Sequence, residues 1–470
     1  MTSKKSEETL RWWFWGYSGL IIVVLFLVQG NPFFWDTIQL GSKHAHFFYE
    51  NQFSKLWLPD LIDSGHPPVF GAYLALCWSL FGKSLIVSHW AMLPFLLGVG
   101  WLALKIGAYF TSAETAPWFL AFLLADPVWM GQAVLVSPDV CLVTFFLWGI
   151  WAICSDSKWG RVVAGLGLAM ISTRGMMVVV ALYVFELWRQ SFSLKSLFLS
   201  ALPYVPAGLF ALAFLIGHYL AKGWIGYHAD SPWAPGFTQT VWAEVPKQMA
   251  LYAWRMLDFG RLFLWVVLLL VLWRGRKNWA AWPKWQEAIK LGVVCLCLLS
   301  ITFFAYKNLN NHRYLLPIFT SLSLLTIVGS HYFLSNKQRF WAYLIVIIGL
   351  AFGNLWVYPN KVSQAWDCTL GHLPHYQLRA EMLAYLAKAD IPLVEVGTAF
   401  PERGPLKFKD LSNRTDGFKE KDLEKDTYIL YSNVMNDFSD AEIDALFQEW
   451  GVVNRMDSYP LFMILFERKQ

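Results

Sequence analysis

A series of apolar runs, each about long enough to cross a lipid bilayer, constrains this chain more than any other feature. Trp12 to Gly30 passes without a charged residue, and a hydrocarbon core about 30 Å thick is spanned by roughly 17 to 25 such residues. Further runs extend over Leu85 to Phe110, Ala116 to Val134, Asp139 to Ile153, Val162 to Thr173, Gly175 to Trp188 and Leu197 to Leu220, then Phe259 to Trp273, Leu291 to Tyr306, Tyr314 to Leu334 and Phe340 to Val357. They predict a polytopic α-helical membrane protein with about eleven transmembrane helices, two of them short. Composition agrees, because 56% hydrophobic and 15% charged residues exceed what a soluble core requires. The small basic excess, +5, speaks against nucleic acid as a partner.

With the N-terminus inside, nearly every inside loop is basic: Lys4, Lys5 and Arg11; Lys105; Lys158 and Arg161; Arg189 and Lys195; Arg274, Arg276, Lys277 and Lys284; Lys337 and Arg339. That pattern obeys the positive-inside rule. It predicts a cytoplasmic N-terminus in a bacterial inner (plasma) membrane and places Asn31 to Ser84 and everything after Tyr358 on the periplasmic side. No small-residue cleavage site follows the first run, which therefore reads as a retained anchor. Five cysteines lie in or beside apolar segments and Cys368 stands alone in the tail, so no disulfide is expected within the tail.

The chain divides near Tyr358 into a membrane domain, 1–358, and an exterior domain, 359–470, of mixed α/β character. "HYQLRAEMLAYLAKA" has helical spacing, "LVEVGTAF", "TYILYSN" and "LFMILFER" read as strands, and "SDAEIDALFQEW" opens on a capping box, Ser439 with Glu442. The tail leaves the last span on the same side as Asp36, so it is expected over the mouth of any cavity there, contributing acceptor selection more than chemistry. In the first exterior loop, "WDTIQLGSKHAHFFYENQF" mixes aromatic and basic residues at helical spacing, and "SGHPPVFGAYLALCWSLFG" supplies an apolar helix short for a span. Both are expected along the outer membrane surface.

Polar residues recur at that same outer depth: Asp36 just after the first span, His66-Pro67-Pro68, Pro138-Asp139 at the start of a span, Arg174 in "GLGLAMISTRG" and Arg313 in "RYLLP". Their order and shared side resemble the GT-C polyprenyl-phosphate-sugar glycosyltransferases, and among them the branch of the protein O-mannosyltransferases and the lipid A aminoarabinose transferases. The resemblance covers Trp12 to Pro317. It implies a GT-C-like fold, a polyprenyl-phosphate-sugar lipid donor, and an acceptor that is a protein, lipid or glycan. In that family a second acid often follows the first, whereas here Asp36 is followed by Thr37, which leaves metal use open. No cofactor is assigned; a divalent metal is compatible with the chemistry, but nothing in the sequence indicates one.

The chemistry explains the residue types. Displacing a polyprenyl phosphate from an anomeric carbon needs a base for the acceptor proton and cations for the departing phosphate. Asp36 is the candidate base, with Asp139 second. Arg174 is the first candidate for the donor phosphate, followed by Arg313 and His66, then Lys43. Structural readings stand beside these. Asp36 reads equally as a solvated loop acid, Asp139 as a helix cap, Arg174 as the partner of Asp139 or Asp126 in an internal ion pair, and Arg313 as an interfacial anchor. His44 and His46, two apart, do not share a helix face and make a poor metal site. Asp126 receives no role. Two other functions stay open: a lipid-linked sugar transporter, and a catalytically inactive GT-C-like scaffold that binds lipid.

Overall fold

The computed structural model describes residues 4–190, 193–229, 234–277, 281–359 and 361–469. Every apolar run falls on helix. Six helices are long and apolar enough to cross a membrane, or up to eight when each of two bent pairs counts as one. The expected eleven is not reached on that criterion, because Ala116–Ala125, Lys158–Ile171 and Thr173–Arg189 fall short of it. Their shortness is itself informative, since each ends where a polar side chain replaces the next helical turn.

The breaks have local causes. Asp126 stops one helix and starts the next, accepting the backbone N–H groups of Val128 and Trp129 at 2.9 and 3.3 Å. Ser172 ends one helix in extended backbone and caps the following one through Gly175 N at 3.0 Å. The two helices meet so closely there that a Cβ on Gly175 would sit 2.0 Å from the Leu168 carbonyl oxygen. Arg174 is thereby fixed at the crest of a tight helical hairpin. Leu316–Phe333 is buried along most of its length and forms the axis of the bundle, with the short helical turn His312–Leu315 leading into it.

Charged side chains gather at the two ends of the bundle. At one end Arg189 pairs with Glu287 at 3.3 Å, Lys284 with the same acid at 3.6 Å and Lys105 with Glu7 at 3.6 Å. At the other end lies the cluster described below.

The loop after the first span forms a continuous helical stretch over residues 36–50, partly π-helical at Ile38–Lys43, and the apolar helix Val69–Phe81. The first of these does not lie free on a surface. His44, Ala45, His46 and Phe48 are buried, with the His46 ring set edge-on between Trp78 and Phe408. The helix is covered from the far side by the tail, which its sequence alone does not reveal.

The tail carries a six-stranded sheet. Its strands are β1 (Val396–Thr398), β2 (Gly404–Pro405), β3 (Gly417–Glu420), β4 (Tyr428–Ser432), β5 (Trp450–Ser458) and β6 (Leu461–Arg468), in the order β2-β3-β1-β4-β6-β5. β1 runs parallel to β3 and β4, and the remaining pairs are antiparallel. Helices Pro374–Lys388 and Asp440–Glu449 complete it, the second with its Ser439 and Glu442 capping box formed. β5 escapes sequence reading because a bulge between Val452 and Asn454 breaks its alternation and its outer face is polar.

The two hydrophobic cores interlock. The sheet's core takes in Phe34, Trp35 and Leu135 from the membrane portion, while the helical core takes in Tyr358, Cys368 and Leu411 from beyond the last span.

Candidate functional site

Asp36 opens the helical stretch directly after Trp35, whose φ of 55° turns the chain sharply. The Thr37 hydroxyl accepts from Phe34 N at 3.1 Å and donates to Phe34 O at 2.6 Å. That staple fixes the turn and accounts for the threonine: an ionised carboxylate there could not donate to the carbonyl. Asp36 sits at a helix N-terminus, where free N–H groups favour negative charge.

Arg313 stands opposite. Asn311 caps its backbone N–H at 3.1 Å, and its buried guanidinium meets three carboxylates. Nη2 forms a close ion pair with Asp36, Nη1 lies 3.4 Å from Asp139 Oδ2, and Nε lies 3.4 Å from Asp367 Oδ2. Asp139 also closes onto Arg174 Nη2, and Arg174 Nη1 donates to the Arg313 carbonyl at 3.1 Å. The Tyr314 ring lies 4.9 Å from the Arg174 guanidinium and 5.1 Å from that of Arg313. Asp139 does not cap its own helix. Ser137 does, accepting Asp139 N at 3.1 Å, and so leaves the carboxylate to the arginines.

Three carboxylates therefore share two guanidiniums. Asp139, Asp367 and Arg313 are at most 3% exposed, whereas Asp36 and Arg174 keep 20% and 21% of their side chains open. The cluster thus presents one acid and one base outward, over a buried charged floor.

The other sequence-level candidates divide. His66 joins the cluster: its Nδ1 lies 2.8 Å from Thr173 Oγ1, next to Arg174. Burial, then Arg174 and His44, hold its pKa down to about 4, so the ring is neutral in the physiological range. Lys43 does not join it. Its ammonium lies 5.8 Å from the Phe408 ring, with no carboxylate at ion-pair distance among the described residues. Burial, then Arg403, lower its pKa to about 8. Asp126 binds Arg261 Nη2 through both oxygens at 2.7 and 2.9 Å. Asp367 was not anticipated. It lies in the unpatterned segment "SQAWDCTLG", where only an acid beside a buried Trp366 hinted at it.

Among the described residues, no group of three or more His, Cys, Asp or Glu side chains is arranged to hold a metal ion. An apolar cavity of about 490 Å³, lined by Phe48, Trp57, Pro67, Pro68, Phe210 and Phe214, adjoins the His66 segment.

The fold has known counterparts. Apo ArnT from Cupriavidus metallidurans superposes with a TM-score of 0.55 at 13% identity, over 96% of this chain and 97% of that one. The same protein bound to undecaprenyl phosphate gives 0.52 at 14% identity, over 96% and 98%. The arabinofuranosyltransferase AftD from Mycobacteria gives 0.52 at 11% identity, over 98% of this chain and 40% of that one. No protein-family model matches the sequence, and no curated protein does. The chain thus shares the ArnT fold over nearly its whole length, C-terminal domain included, and is an integral membrane protein.

Proposed function

We propose that this protein is a membrane glycosyltransferase that moves a sugar from a polyprenyl-phosphate donor to an acceptor on the periplasmic side, with inversion at the anomeric carbon. The observation that carries the reading is the open pair Asp36 and Arg174 over one buried charged floor, in a fold shared with an arabinofuranosyltransferase and with a protein bound to undecaprenyl phosphate. Arg174, about one-fifth open and with its guanidinium 4.9 Å from the Tyr314 ring, receives the donor phosphate. Neutral His66 adds a hydrogen bond beside it. The polyprenyl chain enters the apolar cavity behind Pro67 and Pro68.

In the reaction the acceptor oxygen forms a bond to the anomeric carbon as the bond to the phosphate oxygen breaks. The electron pair leaves with the phosphate, held by Arg174, and the acceptor proton passes to Asp36. One carboxylate suffices, because the leaving phosphate is already a stable anion and needs no acid. Asp139 and Arg313 hold the two working groups at fixed separation.

The direct test is mass spectrometry of co-purifying lipid together with transfer from that lipid by the purified protein. A polyprenyl phosphate carrying a sugar is expected, and Asp36→Asn should lower turnover about a hundredfold or more while donor binding survives. Normal transfer by Asp36→Asn would move the base elsewhere, with Asp139 next. Tight lipid binding without transfer by the unaltered protein would favour the inactive scaffold.

A further inference from the structure

The exterior domain supplies one of the three carboxylates around Arg313, and it also grips the turn that carries Asp36. Trp366, immediately before Asp367, belongs to the sheet's core and donates its indole N–H to the Asn433 carbonyl at 3.1 Å. The Asp367 carbonyl accepts from Gln132 Nε2 at 2.8 Å, and Asn311 Nδ2 reaches its carboxylate at 3.4 Å. The segment is pressed so closely on Gly131 that a Cβ there would lie 2.6 Å from the Asp367 carbonyl oxygen. On the other flank Phe34 stacks on His372, with centroids 4.9 Å apart, Trp35 meets Phe400 edge-on at 5.4 Å, and Phe33 N donates to Lys409 O at 2.7 Å. Both halves of the Asp36–Arg313 pair are thus referenced to the exterior domain.

Resting on the reading above, we propose that Asp367 is a positioning residue for the transfer: by sharing the charge of Arg313 it keeps Asp36 basic enough to take the acceptor proton. Arg313 holds Asp36 in a close ion pair and Asp367 at a longer 3.4 Å contact to Nε. Removing the second acid leaves the guanidinium to Asp36 and Asp139 alone and removes a nearby negative charge. Both changes stabilise the ionised form of Asp36 and make it a weaker base. Asp367 is buried and makes no contact with the open face, so donor affinity should not depend on it.

Initial rates of the full-length protein in detergent, against donor concentration and from pH 4 to 8, test this. The other charged or titratable groups facing the pair are Arg313 and Tyr314, Asp139, Arg174, His66 and Cys368, and they are common to every variant. Asp367→Asn is expected to lower kcat about two- to threefold with donor KM essentially unchanged, and to move the acid limb of kcat down by about half a pH unit. Asp367→Glu should return the limb toward its original place. A lowered kcat with an unmoved limb would reduce Asp367 to a packing role and overturn the proposal. Should Asp367→Asn fail to fold, Asp367→Ser is held to the same two outcomes. If the unaltered protein transfers sugar and Asp36→Asn does not, the functional reading stands whatever Asp367 does. If the unaltered protein transfers nothing, the proposal falls with that reading.

Discussion

Two of the buried aspartate–arginine sites in this molecule are built on opposite plans. Asp126 and Arg261 match one acid to one base. Both oxygens of Asp126 meet one guanidinium nitrogen, the guanidinium lies 3.7 Å from the Phe319 ring centroid, and neither residue is more than 4% exposed. The Asp36 cluster sets three acids against two bases and leaves one of each partly open. A closed, balanced pair has nothing left to offer a ligand and serves as a rivet between helices. An unbalanced, open group has its charges distributed over partners that a substrate can replace. On the proposed function, charge stoichiometry and exposure separate the structural site from the working one better than residue type does.

The contrast is sharpest under mutation. Asp126→Asn leaves Arg261 buried without its anion and should cost about 3–5 kcal/mol of stability, seen as a large fall in thermal midpoint or folded yield. Asp139→Asn should cost less, because Arg313 keeps Asp36 and Asp367 and Arg174 is partly open to water; equal losses at the two sites would erase the distinction. Next, Arg174→Ala should weaken donor binding by roughly 2 to 5 kcal/mol and Arg174→Lys by less, since the lysine keeps the charge and loses the fork. Donor affinity unchanged in the alanine variant, with stability lost instead, would move Arg174 into the structural class with Arg261.

A smaller effect concerns protons. Burial holds His44, His46 and His66 down to about 4, whereas in the unfolded chain they titrate near 6.5. Between those values the unfolded state binds more protons, so stability rises with pH through that window and falls as the solution is acidified from about 6.5 to 4. Thermal midpoints measured across the window should drop on the acid side, and less so in His66→Gln. The smallest effect is expected at Lys43. Lys43→Met should change donor affinity by no more than about threefold, through long-range charge alone; a tenfold loss would bring Lys43 back among the phosphate ligands.

Much of the site was legible in sequence because polar residues interrupting apolar runs stand out against them. Asp36, Asp139, Arg174 and Arg313 announce themselves that way, and each helix end that positions them carries its own local signal, such as Ser137 or Ser172. Which of the alternative roles each takes was not legible. The sequence cannot say that Ser137 rather than Asp139 caps a helix, or that Asp126 finds Arg261. Asp367 was missed for a different reason: its segment follows the last apolar run, has no periodicity and acquires meaning only through Asn311, Gln132 and Gly131, far away in the chain. Trp35 misled in the opposite sense: it opens a stretch expected along the membrane surface, yet with Phe34 it completes the core of a sheet built from the last quarter of the molecule.

That interlocking sets the order in which the protein matures. Phe34 and Trp35 leave the ribosome long before β4, β5 and β6, which complete the core that receives them. The floor likewise draws on residues 36, 139, 174, 313 and 367. Throughout synthesis the early turn therefore waits without its lining, and the Asp36–Arg313 pair without its third acid. A chain stalled after the last span but before the sheet carries the membrane helices without the finished charged floor, so on the proposed function an incomplete copy in the bilayer lacks the assembled site.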